Sequence, residues 1–165
     1  GLSVFGTQDK GAYVGNIIGS EQFRQSLLLQ YVSKEALEMY RNALETALSE
    51  YYGSHYAGPL GVDMLIYAGS NNQPMIHPCL EINMRRTMGM LALNLSERYV
   101  SESSTGNFRM EFNSNEGAIY QFHQEMESDY PIVMRNGRIT SGYVALSPVS
   151  KDTSFWAYML VSEQH

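Results

Sequence analysis

The stretch GVDMLIYAGSNNQPMIHPCLEINMRR, residues 61–86, reads as two strands joined by a polar turn. Each arm is rich in large or β-branched apolar side chains, and Ser70, Asn71, Asn72 and Gln73 between them are turn formers. The second arm breaks this pattern with polar residues. Strand alternation sets His77, Cys79, Glu81 and Asn83 on one face and Ile76, Leu80 and Ile82 on the other. A turn near Asn72 makes cross-strand partners of residues whose numbers add to about 144, which places Asp63 opposite Glu81 at about 5 Å.

Two carboxylates directly opposite each other repel, and such a pair calls for a shifted titration or a bound cation. Asp63, Glu81 and Asn83 offer oxygen ligands alone, the set that suits magnesium or manganese and leaves room for water and phosphate oxygens. A pair solvated on an open sheet face is the plain alternative. A zinc site drawn from His77, Cys79 and Asp63 has suitable ligand types but no argued geometry.

Working outward, Ser33 is a good N-cap with Glu35 in the first turn, and Leu37, Tyr40, Leu44, Ala47, Leu48 and Tyr51 recur at helical spacing before Gly53. A second helix is expected from Met84 or Arg85 to about Tyr99, with Met84, Met88, Leu91 and Leu95 on one side. Upstream, residues 2–5 and 12–18 read as an antiparallel strand pair around the turn-forming run GTQDKG. Downstream, residues 101–107 read as a polar loop and possible subdomain boundary, and residues 116–128 as a short helix weakened by Gly117. Asn136-Gly137 marks a tight hairpin, and TSFWAYMLV a further strand. The fold class expected is α+β, with a mainly antiparallel sheet and packed helices, in a single domain spanning residues 1–165.

Bulk properties exclude several functions. The chain has 165 residues, 44% apolar, and its 17 acidic against 11 basic residues give a formal net charge of -6. With only three lysines, Lys10, Lys34 and Lys151, it has no basic stripe to neutralise a phosphate backbone, so neither nucleic acid nor an anionic membrane is an expected partner. No run approaches the roughly 20 apolar residues of a membrane span. One cysteine, Cys79, rules out an internal disulfide framework and suits a reducing cytoplasm, the compartment expected.

The aspartate on one strand followed by Glu-x-Asn-x-Arg on the next, with GPLG leading in and an amphipathic helix upstream, resembles the C-terminal lobe of the ATP-grasp fold of carboxylate-amine ligases, such as D-alanine ligase and biotin carboxylase. The match is strongest over residues 58–89 and covers roughly residues 2–100, leaving residues 107–165 as an additional hairpin-containing segment. The resemblance implies that Asp63, Glu81 and Asn83 hold Mg2+ or Mn2+ against the terminal phosphates of ATP, that Arg85 acts catalytically near the transferred phosphoryl group, and that Leu80 borders the adenine. It implies ATP as cofactor, small-molecule carboxylate and amine substrates, and a first lobe carrying lysines and a glycine-rich loop. This chain alone is then expected to be inactive. Some members of the family place an arginine just before the aspartate, where this chain has Gly61, so Arg85 or Arg86 must supply that charge for chemistry. The alternative expectation is a non-catalytic binding or assembly module, with homodimerisation possible.

Other residues carry weaker signals. His55, His77, His123 and His165 are scattered, the hydroxyls of residues 101–105 form no nucleophile arrangement, and GAYVGN could bring backbone near a ligand or be an ordinary turn and strand. Clustered methionines fill core, and Arg135 and Arg138 are expected in solvent beside their turn.

Overall fold

The computed structural model describes residues 1–7 and 13–164, so residues 8–11 of the expected N-terminal turn, Gly11 and Ala12 of GAYVGN, and His165 lie outside the described residues. The protein is α+β, and its described residues form a six-stranded antiparallel sheet, a two-stranded sheet and four helices. It divides into two compact units, Gly1–Arg24 with Met88–His165, and Gln25–Thr87. The first division falls inside helix α1 (Glu21–Leu28).

The larger unit is built on strands β1 (Phe5–Thr7), β2 (Tyr13–Ile18), β5 (Ser104–Phe112), β6 (Val133–Arg135), β7 (Arg138–Ala145) and β8 (Phe155–Glu163), in the order β1-β2-β5-β8-β7-β6. The expected antiparallel pair at the N-terminus is present, with Phe5 opposite Asn16. Residues 104–107 are the start of a central strand rather than a loop. Ser104 is fully buried and pairs with Glu163, while Asn107 pairs with Leu160. Ser, Thr and Gly carry little strand preference of their own, and pairing with β8 along the whole segment, joined by β2 from Gly106 onward, overrides it.

β8 shows how this sheet is filled. Alternate residues Met159 and Val161 join Phe108, Ile18 and helix α3 (Met88–Tyr99) in one cluster, whereas Trp156 and Tyr158 join Tyr143 and helix α4 (Ala118–Asp129) in another. One helix therefore covers each face. α3 starts at Met88, not at Met84 or Arg85. It buries Ala92, Leu95 and Ser96, a 3.6-residue stripe that leaves Leu91 43% exposed. Gly117, which weakens a helix interior, instead stands just before α4 as its N-cap with φ 77°, a left-handed conformation that glycine tolerates.

The Asn136-Gly137 turn has φ of 51° and 74°, the double positive that a two-residue hairpin requires. Arg138 beside it does not point freely into solvent: its Nη1 donates to the carbonyls of Glu97 and Val100, at 2.7 and 3.0 Å, and so satisfies orphan acceptors at the end of α3. Arg135 pairs with Glu163 at 3.3 Å. Buried Arg24 donates from Nε to the Leu2 carbonyl at 2.9 Å and from Nη1 to Gly19, tying the first residues to the end of β2. Tyr13 donates to Asn16 Oδ1, and Asn16 Nδ2 to Ser3 Oγ at 2.8 Å.

The smaller unit contains helix α2 (Lys34–Tyr52) and the hairpin of β3 (Gly61–Ala68) and β4 (Pro74–Asn83). Ser33 caps α2 as expected, its hydroxyl accepting from Ala36 N–H at 3.2 Å. The N–H of Gly53 closes the last turn on the Ser49 carbonyl at 3.0 Å. Among the described residues no helix is long and apolar enough to cross a membrane.

Three measurements check this architecture. Phe108→Ala, at a fully buried position, is expected to cost about 3–5 kcal/mol in urea unfolding, whereas Phe112→Ala, at a position 59% exposed, should cost about 1 kcal/mol or less. Ser33→Ala should destabilise α2 by about 1 kcal/mol. Burial pushes the Tyr13 phenol up from 10.0 to about 12, so its contribution to stability is intact below pH 10 and is lost as pH rises toward 12. Ultraviolet titration of the parent minus Tyr13→Phe should show that late ionisation.

Candidate functional site

The hairpin register brings Asp63, Glu81 and Asn83 together. Gly61 pairs with Asn83, Val62 with Ile82 and Asp63 with Glu81, so the two carboxylates are direct cross-strand partners. Around the turn Gly69 N–H donates to the Gln73 carbonyl at 2.8 Å and Asn72 takes φ 57°, which asparagine tolerates.

Between these ends the register slips. Leu65 pairs with His77, so Pro78, Cys79 and Leu80 together oppose Met64 alone. Proline has no N–H to give a ladder, and an irregularity is the usual accommodation. Its effect is to break the alternation expected along β4. Cys79 is half-buried and lines an apolar cavity of about 370 Å³ with Ile82 and with Leu44, Leu48 and Tyr52 of α2. Leu80, expected on that apolar face, is 54% exposed. Alternation resumes at Glu81, and the pairing of Asp63 with it survives.

Asn83 is 6% exposed, and its Nδ2 donates to Asp63 Oδ2 at 3.3 Å. Glu81 is exposed and Asp63 half-buried. Among the described residues neither carboxylate has an ion-pair partner. Arg85 lies in the irregular connection after β4, exposed, with Nη1 3.3 Å from the Arg86 carbonyl. The amide of Asn83 thus relieves part of the charge at Asp63, and two carboxylates remain side by side at the open end of the hairpin.

The donor set decides what could sit there. Among the described residues no three of His, Cys, Asp and Glu gather into a metal-binding group, which removes the zinc reading of His77, Cys79 and Asp63. Two carboxylates and an amide oxygen form a shorter set. It fits a hard divalent cation that keeps water or phosphate oxygens in its remaining positions. His123 has a structural setting: its Nδ1 lies 3.1 Å from the hydroxyl of buried Tyr143, and its Nε2 lies 3.4 Å from Glu127. Trp156 Nε1 donates to the same hydroxyl at 3.3 Å, so that group ties α4 to the sheet.

Comparison of the chain with protein-family models, with curated proteins and with solved structures finds no match.

Opposite signs are expected at the two acids. Without metal, Glu81→Ala should leave stability unchanged or raise it by about 0.2–1 kcal/mol through relief of repulsion. Asp63→Ala should lower it by about 1 kcal/mol, because the buried Asn83 amide loses its acceptor. Urea unfolding of the three proteins in a chelating buffer separates these effects.

Proposed function

We propose that the open end of the β3–β4 hairpin binds Mg2+ or Mn2+ together with the terminal phosphates of ATP, and that the chain supplies the metal- and phosphate-binding half of an ATP-dependent ligase of ATP-grasp type. The observation that carries this reading is the pairing of Asp63 with Glu81, with Asn83 bonded to Asp63 and no protein cation beside either acid among the described residues. Asp63, Glu81 and Asn83 Oδ1 are the ligands. Arg85 is exposed and keeps most of its five N–H donors for phosphoryl oxygens.

A bound divalent ion would neutralise charge on the transferred phosphoryl group. The residues themselves hold and orient. The facing carboxylates fix the ligand oxygens on two hydrogen-bonded strands, and Arg85 follows them as a fixed positive charge where the phosphoryl is passed to a carboxylate. The products of that transfer are ADP and an acyl phosphate, from which an amine releases phosphate. Leu80 is assigned to the adenine contact, for which its exposed apolar side chain is available.

Manganese calorimetry with and without ATP tests the reading. The parent should bind, ATP should strengthen binding, and Asp63→Asn should weaken it by about tenfold or more, near 1.4 kcal/mol. Equal binding by the variant would remove the proposal. A second reading, an assembly module without chemistry, draws on α2, none of whose 19 residues is buried and whose Met39 and Tyr51 are 58% and 77% exposed. Sedimentation showing a dimer that forms in the absence of manganese binding would favour it.

A further inference from the structure

The larger unit has a cleft of about 250 Å³ between α4 and the two central strands, and it is a different place from the hairpin site. Its floor comes from β5 and β8, where Asn107 pairs with Leu160 and Arg109 with Tyr158. Its wall comes from Phe122 and Met126 of α4, and from Tyr130 at the end of that helix.

The walls are held before any ligand arrives. Phe122 packs edge-on against Trp156 at 5.4 Å, and Trp156 stacks on Tyr158 at 5.1 Å. The Tyr130 carbonyl accepts from Tyr143 N–H at 2.8 Å, and its own N–H donates to Met126. Tyr158 donates its hydroxyl to Glu111 Oε1 at 2.7 Å.

The polar groups of the cleft are partly engaged with one another and partly open to solvent. Arg109 Nη1 forms an ion pair with that same Glu111 oxygen at 3.6 Å, and the Arg109 side chain also reaches the Tyr158 hydroxyl while staying 45% exposed. Glu111 is engaged by the tyrosine, and the guanidinium keeps donors for a second acceptor. The Asn107 amide lies beside it. Apolar surface from Leu160, Phe122 and Met126 continues directly from this cationic end.

We propose that this cleft binds a small amphipathic carboxylate, an aryl or alkyl acid, with its carboxylate on Arg109 and Asn107 and its hydrocarbon body against Phe122, Met126 and Leu160. One cation beside an apolar wall recognises one anionic head on an apolar body. A cationic ligand is disfavoured, since the nearest acid already accepts from Tyr158 and faces Arg109. Size restricts the ligand further: about 250 Å³ lies just under the range of roughly 300–1,000 Å³ usual for drug-sized molecules. This inference uses no residue of the hairpin and does not depend on the function proposed for it.

The test is amide NMR titration of the whole chain with phenylacetate, and with neutral phenylacetamide as its uncharged counterpart. Phenylacetate should give saturable shifts centred on Asn107, Phe122 and Met126, with the amide at least about tenfold weaker. Arg109→Met should weaken phenylacetate binding by a similar factor. Asn107→Asp adds a second carboxylate at an exposed position without removing the arginine, and is expected to weaken it as well. Shifts that do not saturate, that scatter over the surface, that are matched by phenylacetamide, or that persist in a folded Arg109→Met protein would each overturn the assignment. If Arg109→Met does not fold, Asn107→Asp and the amide comparison give the answer.

Discussion

The pairing of β5 with β8, nine residue pairs from Ser104 with Glu163 to Phe112 with Phe155, is the constraint on which the larger unit rests. It joins segments about fifty residues apart, and its two-residue period assigns every side chain to a face. Phe108 and Met159 go to the α3 cluster and Tyr158 to the α4 cluster. A slip of one residue would exchange these sets, driving Arg109 and Glu111 into the core that Phe108 now fills. Burial of apolar area, at roughly 25 cal/mol per Å², outweighs the modest strand preference of individual residues and selects this register.

The same rule governs the hairpin but meets a different opponent. Pairing Asp63 with Glu81 is unfavourable electrostatically, by a few tenths to about 1 kcal/mol for exposed partners. Facing Ile76 and Ile82 toward one side while the acids take the other offsets it. The irregularity at Pro78 absorbs the proline within the strand and leaves this arrangement intact at the open end. Repulsion is thereby concentrated in one place and softened by the Asn83 amide.

Much of this could be read from the chain. The Ser33 cap, the Asn136-Gly137 turn and the opposition of Asp63 and Glu81 follow from local chemistry or from counting through a short turn, and the structure shows each of them. Cys79 and Leu80 depart from strict alternation because a proline irregularity changes which side faces inward, and alternation has no means of locating it. Residues 104–107 look like a loop by composition and form a strand because β8 pairs with all of them and β2 with Gly106 and Asn107. Arg138, set in solvent by its place beside a turn, caps α3 across forty residues of sequence. The Arg109 cleft left no local mark: its parts come from two strands and a helix, and no motif spans them.

By itself the sequence determined the α+β class and the hairpin that opposes two acids, because each depends on periodicity and on contacts across one short turn. The tertiary structure alone decided the strand order, the faces covered by α3 and α4, and the convergence of Arg109, Asn107 and Phe122 on one cleft. The physical reason is range. Turn and cap energies belong to a few neighbouring residues, whereas burial and strand pairing are satisfied by whichever distant partners complete a core.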